Sequence, residues 1–412
     1  MQLYNTLTKQ KEEFKPIKDG EVLFYQCGPT VYWTQHIGNL RAMVQADFIR
    51  KSLIFSGYKV KFVRNYTDVG HLTGDNLGDA DSGEDRMEKG AKREGLTPAE
   101  IANKYINLFE SDCAELNILK PNFTPKATEF VPDMIEMVKI LLEKDFAYST
   151  PLAIYFDITK AKDYTRLSGQ NLKENKEGAG KGDVEDKEKK NPEDFALWFF
   201  RAGTHKNALQ YWPSPFTSPL VENGNGFPGW HIECSAMAKK LLGETIDIHM
   251  GGVEHISIHH TNEIAQSESA NDKDFAHYWL HNEWLLVNNG KMSKSEGTGY
   301  ALSEIKEKGF NPLALRYFFL QAHYRSKQNF TWEAMQSAQN GYDGLIKKVR
   351  NLGDKIGKVN DEFKADFLSK IGSDFNAPQA LAFVFNVLKA DISAEDKLAT
   401  IKDFDRVLVL NL

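Results

Sequence analysis

The stretch Glu21–Phe55, EVLFYQCGPTVYWTQHIGNLRAMVQADFIRKSLIF, decides the fold. EVLFYQ is a short apolar and aromatic run and reads as a strand. CGPT is a glycine–proline turn. After His36-Ile37-Gly38-Asn39, apolar residues recur at helical spacing through NLRAMVQADFIRKSLIF. Strand, turn and helix start follow one another, and a helix N-terminus favours an anion through its unpaired N–H groups and dipole. His36 and Asn39 can add side-chain donors aimed at a phosphate, and Gly38 permits close approach of a ligand. HIGN alone is a weak signal, because short His-Gly strings arise by chance.

Outward from this stretch the alternation continues. YKVKFVRNYTD reads as a strand and PAEIANKYINLFESDCAELNI as a helix, so residues 1–117 form the first half of a nucleotide-binding fold. Residues 118–225 are less regular. They hold a helix (PDMIEMVKILLEKDFA), a strand (LAIYFDI) and NLKENKEGAGKGDVEDKEKKNPED, a charged stretch expected to be a flexible loop. This block reads as an insertion splitting the fold. Strand and helix alternate again over 226–300, and the two halves predict one α/β doubly wound, Rossmann-like parallel sheet with ligands at the carboxyl ends of its strands. From about 301 the pattern turns helical, and residues 301–412 predict an all-α bundle.

A second phosphate signal is Lys291-Met292-Ser293-Lys294-Ser295, in a loop bounded by Gly290, Gly297 and Gly299. Two ammonium groups three residues apart on a glycine-hinged loop can close over a triphosphate and neutralise charge as a phosphoanhydride breaks. Most such strings are solvated basic turns, but this one lies far downstream of HIGN in the same chain. Four further residues suggest a metal: Cys27, Cys234 in GWHIECSAM, and His259 with Glu263 in HHTNEIAQSE. Thiolate, imidazole and carboxylate are zinc ligands. His259 and Glu263 stand four apart in a helical segment and share a face. Neither cysteine belongs to a CxxC pair, so the fold would have to assemble the set. Taken singly, each residue has a plainer reading as a buried or hydrogen-bonded side chain.

HIGN with KMSKS resembles the class I aminoacyl-tRNA synthetases. CGPTVY, GWHIECSAM and the HHTNE segment resemble the cysteinyl-tRNA synthetase family, and the similarity runs from LYNTLT to SDFNAPQAL. The resemblance implies Zn2+ on Cys27, Cys234, His259 and Glu263, with the incoming cysteine thiolate joining the metal. A borderline-soft ion distinguishes thiolate from hydroxyl, where an apolar pocket separates near-isosteres poorly. It implies ATP, with Mg2+, at His36, Gly38, Asn39, Gly251, Gly252, Lys291, Met292, Ser293, Lys294 and Ser295. His36, Asn39, Lys291 and Lys294 would stabilise phosphoryl charge. Thr67 in RNYTDV is expected near the substrate cysteine. Trp230 is expected to flank it, or else to be an ordinary core indole. Asp247 and His249 in DIHMGG are expected to meet adenosine or substrate. The implied reaction is cysteine plus ATP to cysteinyl-adenylate, then transfer to a ribose hydroxyl at the 3′ end of tRNA.

The chain departs from the family pattern in places. Asn39 replaces the common second histidine, so that position is expected to act by hydrogen bonding. Glu254 stands where Asp is more usual. VGHLTGDNLGDADSGEDRMEKGAKREG replaces an Ile-Asp-Asp-Lys run; its Asp75, Asp79, Asp81 and Asp85 lack the EF-hand pattern and predict a solvated loop. The sequence given stops at DFDRVLVLNL, so the anticodon-reading module usual in the family is expected to be lacking. That leaves a compact tRNA ligase as first expectation and a cysteine ligase acting on a small amine, such as an amino-sugar, as second. A non-catalytic relative is third.

The net charge of −6 over 412 residues gives a nucleic-acid partner little general attraction. tRNA contacts would rest on local patches in EIKEKGFN, HYRSKQN and LIKKVRNLGDKIGK, each of which also reads as a solvated helix face. DNA is not an expected partner. Three cysteines make no disulfide framework, and Cys113 is expected to be packing. No apolar run approaches ~18 residues and no signal-peptide core is present. A cytoplasmic monomer without membrane contact is expected.

Overall fold

The computed structural model describes residues 1–70, 72, 84–170, 186–292 and 298–412. A hairpin, β1 (Gln2–Asn5) and β2 (Gln10–Glu13), leads into β3 (Glu21–Gln26), α1 (Ile37–Phe55) and β4 (Lys59–Arg64). Helices α2 (Arg86–Glu94), α3 (Pro98–Glu115) and α4 (Val131–Glu143) follow. Then come β5 (Ala147–Ser149), β6 (Ala153–Phe156), β7 (Phe195–Phe200) and β8 (Gly226–Pro228), an antiparallel sheet in sequential order. The nucleotide-binding pattern resumes with α5 (Trp230–Leu242), β9 (Ile246–Gly252), α6 (His259–Asn271) and β10 (Ala276–Asn282).

β3, β4, β9 and β10 pair in parallel in the order β10-β9-β3-β4. From β3 the chain crosses through α1 to β4 on one side. The later strands β9 and β10 extend the sheet on the other side. Strand order therefore reverses between β3 and β9, the place where open α/β sheets leave a ligand crevice at their carboxyl ends. Both faces of the sheet are covered, which is why these strands carry near-continuous apolar runs. Val22 and Phe24 point into one apolar cluster with α1 and α3, and Tyr25 points into a second with α4, α5 and the antiparallel sheet.

After β10 come β11 (Leu285–Val287), β12 (Gly290–Lys291), α7 (Leu302–Glu307), α8 (Pro312–Leu320), β13 (Gln328–Phe330) and four helices. These are α9 (Trp332–Arg350), α10 (Asp361–Ile371), α11 (Ala377–Lys389) and α12 (Ala394–Leu408). They occupy the segments whose helical spacing was legible in the sequence. Their apolar faces share the cluster that covers α1, so the helices and the sheet are packed around one core.

One buried arginine ties these parts. The Arg316 guanidinium on α8 donates to Asp47 Oδ2 of α1 at 2.7 Å, to the Leu408 carbonyl at 2.7 Å and to the Leu116 carbonyl at 2.9 Å. Asp47 Oδ1 in turn accepts from the Leu119 N–H at 2.8 Å. Neither side chain of the ion pair reaches solvent appreciably (0% and 1% exposed).

Among the described residues no helix is long and apolar enough to cross a membrane. The Asp85 carboxylate accepts from the N–H groups of Met87 and Glu88 and so caps α2. Asp75, Asp79 and Asp81 lie outside the described residues, as do 171–185 of the charged stretch. Cys113 is buried in the core cluster, where burial pushes its thiol up to about 12.

Two predictions follow from this packing. Arg316→Met should lower stability by about 3 kcal/mol, read as a fall in the urea midpoint, because Asp47 keeps a buried charge without its partner. A loss under about 1 kcal/mol would mean the pair is not a tie. Asp112 on α3 is pushed up to about 6 from 3.8, first by burial and then by Glu115. Its folded pKa exceeds the unfolded one, so its stabilisation is complete below the unfolded value and is lost as pH rises through about 6. Asp112→Asn should therefore stabilise the fold at pH ~7.5 by roughly 1 kcal/mol after discounting for screening, read as a higher urea midpoint, with the gain shrinking towards pH ~4.5.

Candidate metal and nucleotide site

At the carboxyl ends of β3 and β9 lies a cleft of about 480 Å³. Cys27, Cys234, His259, Thr67 and Trp230 line it together with His36, Gly38, Asn39, Gly251, Gly252, Lys291 and Met292. Residues from both ends of the first 292 positions thus face one space.

The sheet register positions the metal-ligand candidates. Tyr25 of β3 lies opposite His249 of β9, and the Cys27 N–H donates to the Met250 carbonyl at 3.0 Å. Cys234 lies in the second turn of α5, and His259 with Glu263 in the first turns of α6. One ligand atom from each of Cys27, Cys234, His259 and Glu263 lies within 4.8 Å of every other. His259 Nε2 is 2.7 Å from Glu263 Oε1, and Cys27 Sγ is 3.9 Å from the same oxygen. All four are buried. Donor types and spacing fit one zinc ion, whose four ligands stand roughly 3.3–3.8 Å apart in a tetrahedron.

The electrostatics of the cluster are those of anions gathered for a cation. Burial disfavours the Glu263 carboxylate, but His249 and His259 outweigh it and hold Glu263 below the ordinary carboxylate range. Burial likewise opposes charge on His259, and Glu263 with Cys234 pushes it up to about 10. Burial and then Cys234 drive the Cys27 thiol up, while the hydrogen bond from Cys27 brings Cys234 down to about 6. A divalent ion would displace these protons and satisfy the same lone pairs.

At the other end of the cleft, His36 caps α1. Its Nδ1 accepts from the Asn39 N–H at 3.2 Å, which leaves the proton of a neutral ring on Nε2 as a donor. The HIGN and KMSKS segments touch. A Cβ added to Gly38 would sit 2.4 Å from the Met292 methyl, and the Ile37 N–H donates to the Tyr300 carbonyl at 2.8 Å. Lys291 Nζ lies 5.0 Å from the Trp284 ring centroid, and Trp284 Nε1 donates to Glu254 Oε2 at 2.9 Å. Ser293, Lys294 and Ser295 lie outside the described residues.

Trp230 stacks on the His259 ring at 4.2 Å between centroids, and Thr67 Oγ1 accepts from Asn65 Nδ2 at 3.3 Å. Asp247 is a correction. It stands near the start of β9, away from the cleft, and its carboxylate accepts from the Ile17 and Leu23 N–H groups at 2.6 and 2.7 Å. His249 does not line the cleft either; its Nε2 holds Glu263 Oε2 at 2.5 Å. Sequence reasoning passed over His231, His260 and His281. His231 Nδ1 lies 2.9 Å from His259 Nδ1, and His260 Nδ1 lies 2.8 Å from His281 Nε2. The WH and HH pairs beside the ligand positions, and the crowding of histidine over 231–281, were the available signals.

Residues 13–340 match the family described as tRNA synthetases class I (C) catalytic domain. The cysteine–tRNA ligase of Treponema denticola is 42% identical, over 100% of this chain and 86% of the relative. Cysteine–tRNA ligase 1 of Burkholderia lata is 41% identical, over 100% of this chain and 84% of its own length. The Chlorobaculum tepidum cysteine–tRNA ligase is also 41% identical, over 96% and 80%. Among solved structures, Mycobacterium tuberculosis methionyl-tRNA synthetase in complex with methionyl-adenylate superposes with a TM-score of 0.61, over 95% of this chain and 90% of that one. At 13% identity that likeness concerns the fold alone. The chain belongs to the class I aminoacyl-tRNA synthetases, in the cysteine–tRNA ligase family.

Proposed function

We propose that this protein joins cysteine to the 3′ end of tRNA, activating it first with ATP as cysteinyl-adenylate, and that it depends on zinc to choose cysteine. The observation that carries this reading is the meeting of Cys27, Cys234 and His259, on the wall of the cleft that His36, Gly38, Asn39 and Lys291 also line, with Glu263 buried directly behind them. Zinc held there would take the substrate sulfur and reject serine by the ~10⁴–10⁵, roughly 5–7 kcal/mol, available to a site built around one specific polar bond.

The chain's own residues do the rest. Trp230, braced on His259, walls the amino-acid end and keeps water from it. Thr67, buried in the segment after β4 and lining the cleft, would orient the amino acid. The N-terminus of α1 and the His36 Nε2–H offer donors to the phosphates. Lys291, with Lys294, adds positive charge where pyrophosphate leaves, and Mg2+ accompanies ATP with few protein ligands. No covalent nucleophile is needed; catalysis is positioning plus electrostatics. Asn39 contributes hydrogen bonding and no titrating charge. Lys347, Lys348 and Arg350, exposed at the end of α9, are the proposed contacts to the tRNA stem. The protein works as a monomer in the cytoplasm in this reading.

Cysteine-dependent ATP–pyrophosphate exchange should be found in the purified protein, and tRNA transcripts should yield cysteinyl-tRNA. Exchange without any charging of tRNA, but with transfer to a small amine, would redirect the reading to the acceptor. Cys234→Ser should cut the preference for cysteine over serine in the exchange assay by at least ~10³. Gly38→Ala should lower the exchange rate by ~10² or more with little change in melting temperature, because the added methyl displaces Met292. An unaltered rate would separate HIGN from KMSKS.

A further inference from the structure

The buried cluster contains a second set of four donors. Cys27, His249, His260 and Glu263 also bring their ligand atoms within 4.8 Å of one another. The two sets share Cys27 and Glu263 and divide the carboxylate between them. Oε1 faces His259 Nε2 at 2.7 Å, and Oε2 faces His249 Nε2 at 2.5 Å. Cys27 Sγ stands 3.3 Å from His260 Nε2, close to the edge of a zinc tetrahedron, roughly 3.3–3.8 Å. The first set opens on the cleft, because Cys27, Cys234 and His259 line it. In the second set only Cys27 does so; His249 and His260 are fully buried behind it (0% exposed).

We propose that Cys27, His249, His260 and Glu263 form an alternative, closed metal seat, into which the ion moves when the open seat loses a ligand, leaving a protein that holds metal but cannot bind cysteine through it. This rests on the reading that the open seat takes zinc.

Hydrogen bonding behind each histidine ranks the two seats. A metal-bound imidazole is oriented by a partner on its other nitrogen, and losing that partner weakens binding by ~10–100-fold. In the open seat His259 has one, since its Nδ1 is 2.9 Å from His231 Nδ1. In the closed seat His260 has one, since His260 Nδ1 meets His281 Nε2 at 2.8 Å and His281 Nδ1 meets Thr6 Oγ1 at 2.9 Å. That chain turns the His260 Nε2 lone pair towards Cys27. His249 has none: its Nδ1 is buried without a partner. The open seat also has two thiolates where the closed seat has one, and thiolate suits zinc better than a further imidazole. The intact protein therefore fills the open seat, and the closed one is the nearest refuge.

Cobalt(II) reports this directly through its thiolate charge-transfer absorption. Wild-type protein, stripped and reloaded with cobalt, should show a two-thiolate band that rises by about half when cysteine is added, as a third sulfur joins. Cys234→Ala and, separately, His259→Ala should each keep one equivalent of cobalt by elemental analysis. Their one-thiolate band (two variants guard against one failing to fold) should not change on adding cysteine. Adding His260→Ala to either should weaken cobalt binding at least ~10-fold in competition with a chelator. The proposal is overturned if both single variants bind no cobalt, if their bands rise with cysteine, or if the His260 substitution leaves affinity unchanged. A wild-type protein that binds no cobalt would instead defeat the zinc reading itself.

Discussion

The Glu263 carboxylate is the constraint on which the site depends. It is a fully buried anion, and a buried charge persists only with partners that replace water. It takes them from two elements: His259 one turn back on α6, and His249 on β9. His249 can be there only because β9 pairs with β3 in one register, and that register also sets Cys27 beside the same carboxylate. α5 must then lie against α6, which brings Cys234 and lets Gln266 of α6 donate to Ser235 Oγ at 2.7 Å. One carboxylate thus couples two strands and two helices. The anions gathered around it push the buried His259 up to about 10.

The second end of the cleft obeys a different logic. Phosphate handling needs no buried charge, only donors presented at an open helix N-terminus and cations on a segment alongside. Gly38 makes room for Met292, and the Tyr300 carbonyl takes the first N–H of α1, so Met292 and Tyr300 are both tied to the start of that helix. The core that holds α1 extends into the C-terminal helices through Arg316. The position of HIGN therefore depends on residues near the chain's end.

Much of this was legible in the sequence because the signals were local. The strand–turn–helix at 21–55, the helical spacing after 301 and the four-residue step from His259 to Glu263 each follow from periodicity. HIGN and KMSKS are short words with a direct electrostatic meaning. What was not legible depended on register or on partners brought from afar. Asp247 read as a contact to adenosine or substrate because DIHMGG ends at the cleft, but it stands near the strand's beginning and is turned to backbone N–H groups of Ile17 and Leu23. The histidines behind the ligands were missed for the same reason. Nothing local says that His231 meets His259, or that His260 meets His281, until the helices and strands are packed. Asp85 shows the opposite case, where a residue in a suggestive acidic run is a helix cap.

The central claim is a sulfur–metal bond between substrate and protein-held ion at Cys27, Cys234, His259 and Glu263. X-ray absorption at the zinc edge of the wild-type protein, recorded before and after adding cysteine, tests it most directly. The account predicts a first shell of two sulfurs and two lighter atoms that gains a third sulfur with cysteine and does not change with serine. A shell that cysteine leaves as it was, or no zinc in the folded protein, would contradict it.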